Sequence, residues 1–272
     1  MRRHFLRSTL GSIAALGLVA AAAACAARTL HLPEGPGTPV ADAAGMIGEA
    51  TRGCRGVRTL QAELAISGRA GRDKLRGRVI AGFERPGAMR LEAVAPFGQP
   101  AFILVSRGGG ASLLMPRDGR FLVNAAPAEV LEALTGVSLA PDDLLAMLAG
   151  CPTTDGSAVA ARGYAGGWAA VDAADGTTTY LRREAGSWRI VAGTRGVLGI
   201  EYADGAGASP SRVRLRVAGH DGSVTTDLTI ALSQVEVNTP IDPRAFTLRA
   251  PERAVPLTLD ELRRSGPLGP QR

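Results

Sequence analysis

From residue 59 onward, apolar and polar positions alternate with a period of two. Leu60, Ala62, Leu64 and Ile66 are interleaved with Gln61, Glu63 and Ser67, the pattern of a strand with one face buried. Leu75, Val79, Ala81 and Phe83 continue it against Arg76, Arg78 and Glu84. Strands are predicted at 89–95 and 101–106 around the bend Pro96-Phe97-Gly98-Gln99-Pro100, with two short ones at 113–115 and 121–123. The period then changes. Val130, Leu131 and Leu134 stand at helical spacing between Pro127 and Gly136, and a second helix is predicted from Pro141 to about 149. Proline in the first turn, Asp142 and Asp143 beside it and Gly150 at the end are matching start and stop signals. Leu144, Leu145, Met147 and Leu148 cover most of that helix, which suits a lid or plug against an apolar surface.

Strands return at 164–172, 177–182, 187–193, 197–203, 212–218 and 224–237, with Asp175-Gly176 and Ala185-Gly186 as hairpin signals. Helices are predicted at 40–54 and 259–264, the second opened by Thr258 and Glu261 at capping-box spacing. No composition break or internal repeat divides residues 40–272, so they read as one domain.

The first 24 residues follow another logic. Arg2, Arg3 and Arg7 precede a short apolar run from Leu10 to Ala20, and small residues lead to Ala22-Ala23-Ala24-Cys25. This is the layout of a secretory signal, shorter than a membrane-spanning helix. The Ala-Ala-Cys ending resembles the lipobox of bacterial lipoproteins, which implies that Cys25 is acylated and becomes the mature N-terminus. Residues 25–39, rich in Pro and Gly, then serve as a flexible tether. Ala26, where an Asp would signal retention in the inner membrane, implies the periplasmic face of the outer membrane.

Composition narrows the function. With 46% apolar residues among 272 the chain has ample material for a core. Of 31 basic residues three lie in the signal, leaving 28 against 25 acidic. That near balance does not point to nucleic acid. Lys74 is the only lysine. The mature histidines, His31 and His220, have no second ligand at metal spacing. No G-x-S-x-G elbow or phosphate-binding glycine loop is present. We therefore expect a monomeric protein, not an enzyme, with no metal and no cofactor. Cys54 and Cys151 remain after acylation; in an oxidising compartment they form a disulfide or stay as two small buried thiols. Arg212, Arg214 and Arg216 share one strand face, either solvated or presented to phosphate or a lipid headgroup.

The stretch FERPGAMRLEAVAPFGQPAFILV, followed by PRDGRFLVNAAPAEVLEALTGVSLAPDDLLAMLAGCP, resembles LolB, the outer-membrane receptor family of lipoprotein localisation. Shared features are a strand, a Pro-apolar-Gly turn, a second strand and two helices separated by a Thr-Gly segment. The ending VEVNTPIDPRAFTLRAPERAVPL is closer to the soluble carrier LolA and to the DUF4292 lipoproteins, and Met147 stands where LolB commonly has Trp. The resemblance implies a mainly β (α+β) fold: an unclosed, strongly curved antiparallel half-barrel with helices plugging its concave face. It also implies function: acyl chains of lipidated cargo arrive from a periplasmic LolA-like carrier, are held in an apolar cavity and pass to the outer membrane. An envelope assembly or interaction module with the same fold and a filled core is the alternative.

Cavity candidates are Leu64, Ile66, Val79, Phe83, Leu91, Leu144, Leu148, Val213, Leu215 and Ile230; the same residue types would equally build a dry core. The resemblance assigns Pro96, Phe97 and Gly98 to a membrane-inserting loop. A Phe side chain entering a bilayer gains roughly 1.5–3 kcal/mol, enough to orient a protein already anchored elsewhere. A ring folded back onto the barrel is the competing arrangement.

Overall fold

The structure, a computed structural model, describes residues 30–94, 99–152, 157–203, 209–219 and 221–265. Cys25 and the Pro96-Phe97-Gly98 loop lie outside them. The chain divides into two units, Met1–Leu32 and Pro33–Arg272, and the second carries every described strand and helix.

The strands are β1 (Thr38–Val40), β2 (Thr59–Ala70), β3 (Asp73–Glu84), β4 (Ala88–Val94), β5 (Ile103–Arg107), β6 (Gly110–Met115) and β7 (Arg120–Ala125). They continue with β8 (Ala158–Tyr164), β9 (Trp168–Ala173), β10 (Thr177–Glu184), β11 (Ser187–Arg195), β12 (Leu198–Ala203), β13 (Arg212–Ala218), β14 (Val224–Val237) and β15 (Val255–Pro256). All belong to one sheet, ordered β1-β8-β9-β10-β11-β12-β13-β14-β2-β3-β4-β5-β6-β7-β15. Neighbours are antiparallel except β15, which runs parallel to β7. The two edge strands are not paired with each other, so the sheet is unclosed. Among the described residues four α-helices accompany it: α1 (Ala43–Arg55), α2 (Pro127–Thr135), α3 (Pro141–Leu148) and α4 (Leu259–Ser265).

Curvature follows from packing. Inward residues from β12 (Ile200) to β7 (Leu122) belong to one buried cluster with α2 and α3. Those strands lie eight ladder spacings apart, about 38 Å if flat. Two helices of roughly 10–12 Å diameter cannot cover that span, so the sheet bends around them into an open half-barrel. A second, smaller cluster lies under α1, where Met46 and Ile47 meet Ala161, Ala169, Val171 and Leu181 of β8–β10.

Two sequence expectations need correction, and one short strand is not among those predicted. Val40 does not start a helix: Thr38–Val40 pairs with β8, and α1 begins at Ala43 after Asp42, whose Oδ1 accepts the Gly45 N–H at 2.9 Å. Part of the expected tether is therefore an edge strand. The strand expected at 164–172 is two strands, because Gly166 and Gly167 adopt φ of 72° and 74° and turn the chain between β8 and β9. A positive φ is a conformation that glycine accepts without steric cost. Finally, β15 is too short and too exposed to leave a period-two signal.

Candidate functional site

The site is the inner face of β12–β7 together with α2 and α3, which lie on it. Both helices begin with a proline, whose fixed φ suits a first turn. Neither is capped by a side chain: the N-cap residues are Ala126 and Ala140. Gly136 ends α2 in the left-handed region (φ 73°), with its N–H on the Glu132 carbonyl at 2.7 Å. A Cβ there would stand 3.1 Å from Thr226 Oγ1, so the end of α2 sits close against β14. Polar contacts help to hold the first turn of α3. The Gly87 N–H donates to Asp142 Oδ1 at 2.9 Å, and Arg195 lies 3.8 Å from Asp143. Apolar contact does the rest: Val130, Leu131 and Leu134 of α2 and Leu144, Leu145, Met147 and Leu148 of α3 are all buried.

All ten cavity candidates come together here. Leu64, Val79, Phe83, Leu91, Val213, Leu215 and Ile230 of the sheet and Leu144 and Leu148 of α3 are buried in one cluster, and Ile66 packs against it half-buried. Phe83, Leu148 and Val213 keep 0% of their surface exposed. Protein atoms cover them completely, so in this conformation α2 and α3 close the half-barrel over these positions.

A disulfide joins Cys54 to Cys151, with Cα atoms 5.7 Å apart and a sequence separation of 97. Cys54 lies in the last turn of α1, and Cys151 follows α3 by three residues. The bond therefore fixes the C-terminal end of α3 while its first turn depends on Asp142 and Asp143. Next to it, Pro152 packs so closely on Gly193 that a Cβ at 193 would collide with the Pro152 ring.

Two of the three arginines in the β13 row, Arg214 and Arg216, are paired with acids of neighbouring strands. Arg214 donates to both carboxylate oxygens of Asp227, at 2.8 and 2.7 Å, and Arg216 pairs with Glu201. The hydrogen bond from Arg214 is the main reason that the Asp227 carboxyl titrates below the usual range. Charge on the row is thus largely spent within the sheet.

Two features of the site have no signature in the sequence. The Tyr202 hydroxyl is buried with no hydrogen-bond partner among the described residues, and desolvation pushes its pKa up. A half-buried tyrosine in an alternating strand looks like any other. The second is the anchoring of α2 by α4. Leu262 is buried, Arg263 lies 3.4 Å from Glu129 of α2, and Arg120 donates to Glu261 at 2.8 Å. Thr258 and Glu261 make the capping box in both directions, at 3.2 Å and 2.9 Å. The Thr258 N–H, followed by Arg120, holds the Glu261 carboxyl at about 2, below its ordinary 4.5. The spacing of Thr258 and Glu261 announces that cap; the reach of Arg120 to it is not readable.

Among the described residues no group of His, Cys, Asp and Glu could hold a metal ion, and no helix is long and apolar enough to cross a membrane.

No family model matches the sequence, and no curated protein is similar to it. Solved structures that resemble it include a LolA superfamily protein from Nitrosomonas europaea, at 11% identity and a TM-score of 0.47. That match covers 77% of this chain and 99% of that one. A putative outer membrane lipoprotein-sorting protein domain from Vibrio parahaemolyticus matches at 11% identity and a TM-score of 0.46, covering 75% of this chain and 97% of that one. A DUF1329 family protein from Desulfovibrio piger matches at 12% identity and 0.45, covering 76% and 98%. A LolA superfamily protein and a lipoprotein-sorting protein domain are thus among the structures whose fold this chain resembles.

Proposed function

We propose that this chain is a lipid-anchored envelope protein that shelters acyl chains between the inner face of its half-barrel and the helices α2 and α3. It accepts lipid-modified cargo from a soluble periplasmic carrier and releases it into the outer membrane, to which acylated Cys25 tethers it. No covalent step is involved. The observation that carries the reading is the way the site is covered. Two short helices of nine and eight residues, neither capped by a side chain, lie on a wide apolar face. Helices of that length are marginal on their own, and these depend on contact with the sheet.

Magnitudes favour exchange. An acyl chain of about sixteen carbons gains about 13 kcal/mol on leaving water, at about 0.8 kcal/mol per methylene. Four apolar side chains of α3 lifted from the sheet lose roughly 1.5–3 kcal/mol each. The two amounts are comparable, so hydrocarbon and helix compete for one surface and loading runs without an energy source.

Uptake of a fluorescent fatty acid by the purified chain tests this. Saturable binding, with α2 and α3 exchanging amide hydrogens faster once loaded, supports the reading; no uptake removes it. Complete coverage of Phe83, Leu148 and Val213 favours the second reading, an envelope assembly module with a permanently filled core. That reading gains if a protein complex co-purifies with no lipid bound.

A further inference from the structure

The outward face of the β2–β3 hairpin carries positive charge that the fold does not neutralise. Arg69, Arg72, Lys74 and Arg76 are exposed, and among the described residues no side-chain hydrogen bond or ion pair holds any of them. Several other arginines of the sheet are matched by a carboxylate, as Arg162 is by Asp172 and Arg214 by Asp227. In the ladder Arg69 stands directly opposite Lys74, and like charges in that position destabilise a sheet. The nearby acids do not cancel the charge. Asp227, opposite Arg69 on β14, is occupied by Arg214. Glu63 reaches Arg78 at 3.4 Å, and Asp73 is exposed at the turn.

The same face has an apolar margin. Arg78 is opposite Val94 and Ile80 is opposite Glu92, which makes Ile80 and Val94 diagonal neighbours. They are 55% and 43% exposed. Between them and the cations the outward positions of β2 are Ala65 and Ser67, short side chains that leave the surface open. Open, flat, basic and edged by two aliphatic residues, this face suits an extended sheet of phosphates above hydrocarbon better than a single bound molecule.

We infer that the outward face of the β2–β3 hairpin docks on an anionic phospholipid surface, its four unpaired cations on headgroup phosphates and Ile80 and Val94 at the interfacial layer. The choice of a bilayer over an acidic protein rests on the reading of Cys25 as a lipid anchor, which keeps the domain near a membrane. Attraction of this kind contributes about fivefold in affinity per cation and fades within a Debye length of about 8–10 Å.

Lys74, the only lysine in the chain, provides the probe. The full chain is bound to vesicles of phosphatidylcholine, alone or with phosphatidylglycerol, and acetylated with an amine-reactive ester; modification of Lys74 is followed by mass spectrometry. Acetylation is expected to slow about fivefold or more on the anionic vesicles, at low salt only. In the triple variant R69Q/R72Q/R76Q the two vesicle types should give equal rates. Equal rates with the natural chain overturn the proposal. So does slowing by poly-glutamate without slowing by anionic vesicles, which would mark a protein-docking face. Flotation separates this from the anchor: a chain that floats with anionic vesicles and not with neutral ones keeps the docking face and loses the acyl anchor at Cys25.

Discussion

The half-barrel has two halves that are covered differently. Over β8–β11 lies α1, thirteen residues long, capped at its N-terminus by Asp42 and fixed at its last turn by the Cys54 disulfide. Its cluster is small and alanine-rich, with Ala161 and Ala169 beneath Met46 and Ile47. Over β12–β7 lie α2 and α3, shorter and without side-chain caps, on a face of Leu, Val, Ile and Phe. The disulfide serves both halves, because Cys151 also holds the end of α3; apart from it and the contacts of Asp142, Asp143 and Glu129, the second half is held largely by apolar contact, which hydrocarbon can replace. Polar fastening resists exchange because each bond must be broken without a substitute in an acyl chain; apolar contact is non-directional and has one.

The strongest way to break this contrast is to cut the disulfide. Closing a loop of about 100 residues is worth about 4.7 kcal/mol in the chain-entropy account, and losing a native bond typically costs 2–5 kcal/mol. C54S/C151S should therefore unfold at much lower temperature than the natural chain in the absence of reductant. The two should converge when reductant is added. Scanning calorimetry reads both.

Next come the two cores. Phe83→Ala beneath α3 is expected to cost about 3–5 kcal/mol and Leu181→Ala beneath α1 about 2–5 kcal/mol. Stability alone does not separate the halves, but ligand uptake does. Enlarging the space under α3 should increase fatty-acid binding per folded molecule, and Leu181→Ala should leave it unchanged. Equal effects would mean that the halves do not differ in function.

Helix caps sharpen the point at lower cost. Asp42→Ala should destabilise by about 1 kcal/mol through loss of the α1 cap. Ala140→Asp supplies the cap that α3 lacks. It should stabilise the chain by up to about 1 kcal/mol and slow the uptake of fatty acid measured by stopped flow. Faster uptake would contradict the displaced-helix scheme.

The smallest expected effect is on acid sensitivity. Glu261 is held at about 2 in the folded chain against an ordinary 4.5, so folding favours its charged form. The stability it lends is fully present above about pH 4.5 and disappears as pH falls through the interval down to about 2. Glu261→Gln should flatten that part of the acid unfolding curve and leave the curve near neutrality parallel to the original. An unchanged acid limb would show that the capping box and Arg120 do not hold α4 in solution.

Local patterns in the chain account for much of this. Period two in Leu60–Ser67 and Leu75–Glu84 is enough for β2 and β3, and a proline start with a glycine stop delimits α2. The apolar set of the site is readable too, because inward positions of alternating strands must be apolar wherever a sheet is covered on one side. Their use is not readable. Leu148 and Val213 look the same whether they line a hollow or fill it, and burial is a property of what lies opposite. Thr38 and Pro39 read as tether and Val40 as a helix start because three residues carry no period, and only pairing with β8 makes them a strand.

What the sequence by itself determined is therefore what one residue's neighbours in the chain can decide: which segments alternate, where helices start and stop, which cysteines are present to pair. The tertiary structure decided everything that depends on who stands across the ladder or above the sheet. It set the curvature that brings β12 and β7 to the same helices, the sealing of the inner face and the neutralising of Arg214 and Arg216. Among the described residues it also left Arg69, Arg72, Lys74 and Arg76 without partners. The physical reason is range. Backbone propensity and capping act over a few residues, while burial and charge compensation are settled between residues far apart in the chain.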